Sequence, residues 1–326
     1  MTEYKSNWNN VIIHPDEIQA VKYNGNNKLQ LFTAAPNGLC SLTGLASQKI
    51  FRMTKQYKRE FDIVENLQDL EKNMLGILQS RKQDLVLRQW MPTGEFMSVV
   101  GTDYVPIDTI ELSMTAYDQL DNDGIQYHSG KFIPMTYARG HDRMTIILAE
   151  ERKITKVGDI VRSGIQILNN ELGTRALHLQ SFIERLACTN GMTSRKFGVT
   201  FSKIHLGNKD SILTEFKQSV KNLVNSRWEF MELFQSKQDL ELTKQEMLDI
   251  VAHHQQDNFI SLKTATELMK IVEDGLYGAE NMNLYGLINA YTGLASRTEN
   301  WTVRDQLENL VDSKFLVATS KEQLLY

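Results

Sequence analysis

Short apolar runs separated by turn-forming clusters fill the first two thirds of the chain, and amphipathic helical spacing takes over in the last third. Up to about residue 60, apolar runs at 11–13 and 29–32 are broken by Asn24-Gly25-Asn26-Asn27 and Pro36-Asn37-Gly38, which supply turn dihedrals. From Asp62, Ile63, Leu67, Leu70, Met74 and Leu78 recur at the spacing of one helical face, which predicts a helix to about Ser80. Runs at 85–90 and 96–100 flank Pro92-Thr93-Gly94 and predict a β-hairpin. After it, Asp108 with Glu111 fits a capping box, and Ile107 with Leu112 a hydrophobic staple, opening a helix to about Leu120.

Strand-like runs at 131–137, 144–148, 160–168 and 197–204 are joined by connections too short for crossover helices, so an antiparallel meander follows. The run 175–188 fits either period; Leu177, Leu179 and Ile183 alternate as in a strand, and the strand is preferred. Asn190-Gly191 reads as a hairpin turn, because both residues tolerate positive φ. From Asp210, Leu213, Phe216, Val220, Leu223 and Val224 mark a long amphipathic helix. Thr243-x-x-Glu246 and Thr302-x-x-Asp305 resemble capping boxes, and Leu284, Leu287 and Ile288 mark a further helix. The expected fold class is α+β: a central antiparallel sheet with packed helices and a C-terminal helical subdomain. Its expected divisions are 1–80 (short strands and one helix), 81–208 (central antiparallel α+β domain) and 209–326 (helical subdomain).

Composition narrows the class. The 326 residues are 41% hydrophobic and 23% charged with only 5 Pro, which excludes a disordered or collagen-like chain. No apolar run approaches the roughly 18 residues of a membrane span, and the start MTEYKSNWNN lacks the charged-then-apolar order of a secretory signal, so a cytoplasmic protein without membrane contact is expected. Cys40 and Cys188 are the only cysteines, which rules out a four-thiolate zinc site.

Three blocks carry a resemblance: Val99-Val-Gly-Thr-Asp-Tyr104-Val-Pro-Ile-Asp108; Asn169-Asn-Glu-Leu-Gly173-Thr-Arg-Ala-Leu177 with Glu184-Arg-Leu-Ala-Cys-Thr-Asn-Gly-Met192; and Leu284-Tyr-Gly-Leu-Ile-Asn-Ala-Tyr-Thr292. Together they resemble a widespread phage and plasmid protein family carrying a domain of unknown function. The Arg-Leu-x-Cys-x-Asn-Gly-Met block is the most specific part, and Thr102 stands where a smaller Ser-like residue is expected. The resemblance implies a phage or mobile-element protein acting in a bacterial host cytoplasm. At fold level it is distantly similar to Rad52-like annealing proteins, in which a curved antiparallel sheet and a helix present basic residues to single-stranded DNA in oligomeric rings; fold alone does not fix function.

Charge distribution points the same way. Residues 139–209 hold 12 Lys and Arg against 6 Asp and Glu, a net +6, between stretches of −3 (1–138) and −7 (210–326). A phosphate chain needs cations along a path and exposed aromatics for base stacking. The candidate nucleic-acid-binding set is therefore Arg139, Arg143, Arg152, Lys153, Lys156, Arg162, Arg175, Arg185, Arg195, Lys196 and Lys203, with Tyr137, Phe197 and Phe201 for stacking. The competing reading is a sheet face with core aromatics whose basic stretch faces the acidic helical third.

Catalytic signals are weak. Cys188 has apolar neighbours and no His within its block, which favours burial over nucleophilic use. Asp249 and His253 share a helix face but lack a third ligand, and the carboxylates of 118–124 lack calcium-loop spacing, so neither predicts a metal. No glycine pattern or Gly-Lys-Ser/Thr points to a nucleotide, and no cofactor is expected. The expected function is single-stranded DNA or RNA binding by a homo-oligomer, in DNA annealing or as a recombination accessory, without covalent catalysis. The alternative is a structural or host-interaction oligomeric phage protein that does not bind nucleic acid.

Overall fold

The computed structural model describes residues 8–23, 29–33, 39–42, 71–72, 75–76, 78–80, 82–92, 94–135, 141–153, 159–173, 175–185, 190–194, 201–298 and 300–324. Its centre is a six-stranded antiparallel sheet made of β7 (Tyr127–Met135), β8 (His141–Lys153), β9 (Ile160–Asn169), β10 (Leu177–Arg185), β11 (Asn190–Ser194) and β12 (Phe201–Lys203). The first five run as a meander in spatial order β11-β10-β9-β8-β7, and β12 also pairs with β10. The expected α+β architecture and the strand at 177–185 are observed. Asn190-Gly191 does not form a turn; it opens β11 and pairs with Arg185 and Glu184, because the ladder continues through it.

Alternation decides what each face of this sheet does. Met144, Ile146, Leu148, Ile165, Ile167, Leu177 and Leu179 bury themselves on one face against α1 (Thr109–Asn122) and α2 (Lys209–Asn225). Leu112, Ala116, Phe216 and Val220 fill the facing stripes, and each large side chain withdrawn from water contributes about 1.5–3 kcal/mol. The opposite face carries Arg143, Thr145, Gln166 and Gln180, all buried. Gln180 donates to Gln166 at 2.7 Å and Gln166 to Thr145 at 3.4 Å, a cross-strand polar ladder that satisfies these side chains.

A second sheet, in order β1-β5-β6, comprises β1 (Trp8–Ile13), β5 (Leu85–Trp90) and β6 (Glu95–Gly101), so the expected hairpin is present. A third joins β2 (Ile18–Tyr23), β3 (Leu29–Thr33) and β4 (Leu39–Leu42). The helix expected over 62–80 lies partly outside the described residues; those described between 71 and 79 are helical.

The last third contains α3 (Arg227–Ser236), α4 (Lys244–Gln256), α5 (Leu262–Glu273), α6 (Leu284–Arg297) and α7 (Trp301–Leu310). They share one core that also takes in Val161 and Ile183 of the main sheet. Thr243 and Glu246 form the expected capping box. Position 302 falls inside α7 and not before it, and Asn300 accepts from the Val303 N–H. Gly286 explains part of the third resembling block: a Cβ there would lie 2.0 Å from the Asn281 carbonyl oxygen, a contact backbone cannot relieve. Gly286→Ala is expected to cost about 1–3 kcal/mol, read from the urea midpoint.

Candidate functional site

Among the described residues of the basic track, Arg143 is buried, and Arg152, Arg162, Arg175 and Lys203 each lie beside a carboxylate of the same chain. Arg143 is 3% exposed, and its two terminal nitrogens donate to Glu308 of α7 at 2.9 and 3.1 Å. Asp305 adds a second carboxylate, 3.8 Å from Arg143 and 2.9 Å from Arg175. Burial works to raise the Glu308 carboxyl, but the charges and hydrogen bonds of Arg143 and Arg304 hold it below the usual carboxylate range. Arg152 lies 3.6 Å from Glu232 of α3, and Lys203 2.8 Å from Glu215 of α2. Arg162 pairs with Glu151 across the strand ladder.

Two expected binding residues are thus corrected. Arg143 is not a surface cation, because strand alternation points it beneath α7. Phe201 is not a stacking platform; it is 7% exposed and packs edge-on against Phe216 in the core, with ring centroids 5.7 Å apart. Lys153 has an exposed side chain. Tyr137, Arg139, Lys156, Arg195, Lys196 and Phe197, together with Cys188 and the side chain of Arg185, lie outside what the structure describes.

The residues set aside as metal candidates also do other work. Asp249 accepts from Gln245 at 2.8 Å, and His253 Nε2 sits 3.3 Å from Asp257. Among the described residues no cluster of His, Cys, Asp or Glu fits a metal ion.

A different constellation emerges where the first two resembling blocks meet. The fully buried Arg88 of β5 places its guanidinium 4.9 Å from the Trp8 ring and 5.3 Å from the Tyr104 ring, in cation–π range. Its Nη1 donates to Asn10 at 3.1 Å, and Nη2 lies 3.8 Å from Asp108. Asp108 occupies the N-cap of α1 as expected, but its side chain makes no cap hydrogen bond. The proposed box is therefore absent: Asp108 lies beside Arg88, and Glu111 pairs with Lys209 at 2.8 Å. The first N–H of α1, that of Thr109, is taken instead by Glu171 Oε1, at 2.6 Å.

Glu171 also accepts from the Trp8 indole N–H. Thr109 Oγ1 donates to Asp142 at 3.0 Å and accepts from Asn169 Nδ2 at 3.2 Å; the same amide donates to the Ile107 carbonyl at 2.9 Å. Burial, reinforced by the charge of Glu171, pushes the Asp142 carboxyl up to about 7. Burial also raises Glu171, and it lowers His205, whose ring stacks on Tyr104 at 5.1 Å. Arg88, Asp142, Glu171 and Asn169 were not singled out as functional from the sequence. The available signal was the resemblance itself, since Tyr104, Asp108, Asn169 and Glu171 stand in its blocks.

A family model described as a domain of unknown function (DUF932) matches residues 96–314. The chain belongs to the DUF932 family. The match takes in the main sheet, its two covering helices and most of the helical third, and thus both ends of every interlayer ion pair described above except the Arg88 side. Within the DUF932 region the first two blocks supply Asp108, Asn169 and Glu171 of the carboxyl centre, Asp142 comes from β8 between them, and the third block supplies the α6 core: Tyr291 bonds His254 at 2.8 Å and Tyr285 donates to Asp159 at 2.8 Å. Searches of curated proteins and of solved structures found no match.

Proposed function

We propose that this DUF932 protein is a structural or interaction protein of a phage or other mobile element, acting as an assembly of identical copies, whose basic central strands dock its own acidic helices instead of a phosphate chain. The supporting observation is the interlayer pairing of Arg143, Arg152, Arg175 and Lys203 with Glu308, Glu232, Asp305 and Glu215, all from the helical third. A phosphate reaching Arg143 would have to displace a buried bidentate carboxylate, whereas solvated cations on an open track have only counterions to release. Exposed Ile204 (60%) and Leu206 (46%), beside the start of α2, supply apolar surface of the kind self-association covers.

The test is fluorescence anisotropy of a labelled single-stranded oligonucleotide at about 50 mM salt, where phosphate contacts are strong, together with native mass with and without that oligonucleotide. The expected result is no anisotropy change and masses at multiples of 37.4 kDa that the oligonucleotide does not alter. Salt-dependent binding, with log affinity falling by about 0.7 per phosphate neutralised, would overturn this reading and restore the annealing function.

A further inference from the structure

We propose that the centre formed by Asp108, Asp142 and Glu171 is a proton-held latch: Asp142 carries a proton below neutral pH, and its loss loosens the joint between β1, α1 and the main sheet. Three buried carboxyl groups converge on Thr109 and Arg88, and Arg88 is the one guanidinium among the described groups facing them. The neighbouring Arg143 lies on the opposite face with Glu308. With every carboxyl ionised, the centre would hold a net charge of −2 out of water, which is costly enough that a group neutralises instead.

Hydrogen-bond geometry assigns the proton. Asp108 has Arg88 as its counter-charge. Glu171 has a donor on each oxygen, the Thr109 N–H and the Trp8 indole, an arrangement suited to a carboxylate. Asp142 receives the Thr109 hydroxyl on Oδ2. The register partner of Asp142 across the β8–β9 ladder is Asn169, whose buried Oδ1 has no donor among the described residues. The Asn169 amide cannot be reversed to remove this orphan, because Nδ2 must face the Ile107 carbonyl. A carboxylic proton on Asp142 is the kind of donor that oxygen lacks.

The remaining neighbours do not supply a counter-charge. Tyr104 is held neutral by burial, and burial, with the charge of Arg88, lowers His205 and so disfavours its cationic form. Asn10 of β1 faces Arg88 as an acceptor. Glu171 is the connecting group: it ties Trp8 of β1 and the first N–H of α1 to the turn after β9, so new charge on Asp142 acts directly on that tie.

Because Asp142 holds its proton to higher pH in the folded protein than in the unfolded chain, this group favours folding most in acid. Its contribution is lost as pH rises from about 4 to 7, at up to about tenfold in the unfolding constant per pH unit. The experiment is urea unfolding of wild type and Asp142→Asn between pH 5 and 8. Asn is uncharged and can donate to Asn169 at every pH, so the expected result is that the stability of Asp142→Asn relative to wild type rises steadily from pH 5 to about 7 and levels off by pH 8. Equal pH slopes would overturn the proposal. If Asp142→Asn does not fold, infrared difference spectra of wild type decide: the carbonyl stretch of a protonated carboxylic acid is expected at pH 6 and lost by pH 8. Its absence at pH 6 would overturn the proposal.

Discussion

Replacing Glu308 with Ala is expected to destabilise the protein by about 3–5 kcal/mol, the range for leaving one partner of a buried ion pair without its counter-charge. Glu308 is 5% exposed and accepts from Arg143 at 2.9 and 3.1 Å and from Arg304 at 3.1 Å, so its loss strands the Arg143 guanidinium beneath α7 and unpairs Arg304 of α7 itself, with Asp305 as the nearby carboxylate. The loss is electrostatic more than steric. A double variant, Arg143→Met with Glu308→Leu, is therefore expected to recover most of it, because an apolar pair of similar volume avoids the desolvation that the ion pair must offset. Urea unfolding of Arg143→Met alone, Glu308→Leu alone and the double variant forms the cycle; additive losses in the double variant would show that the pair is not the joint between sheet and α7.

Arg88→Met is expected to cost a comparable amount, about 3–5 kcal/mol, because it removes the guanidinium from among three buried carboxyl groups. Met keeps much of the volume between Trp8 and Tyr104, so the effect reads charge and hydrogen bonding more than a cavity. The sign with pH follows from linkage. Without the cation the centre must take up protons to stay folded, so the folded state binds more protons than the unfolded chain and the deficit grows as pH rises from 5 to 8. Urea unfolding at the two pH values tests this; a deficit independent of pH would mean that Arg88 acts mainly through its ring contacts. Glu308→Ala, at a site whose carboxyl is held low, is expected to lose its extra cost only in acid, the same sign of pH dependence in a lower window.

The two sites also show how far a sequence reading reaches. Period-2 alternation identified β9, and the helical stripe of Leu213, Phe216, Val220 and Leu223 identified α2, because local spacing alone decides which side of an element is apolar. The same alternation placed Arg143 on the face away from Met144 and Ile146. It is silent on whether that face meets water or another layer, and here α7 covers it. Capping boxes behaved likewise. Thr243 and Glu246 formed one at an exposed helix start, whereas at Asp108 a distant guanidinium and the Glu171 carboxylate displaced the local bonds.

The periodicities, the sign change in charge between the middle and the last third, and the resembling blocks are all written along the chain, and they determine an α+β protein with a basic sheet and acidic helices. What became of those charges was decided only on folding. Arg143 and Glu308 are 165 residues apart, and Trp8 reaches Glu171 across 163. Whether a cation serves a partner or its own chain depends on the counter-charge that packing delivers to it and on the water that packing removes, and both are set by contacts between segments with no proximity in sequence.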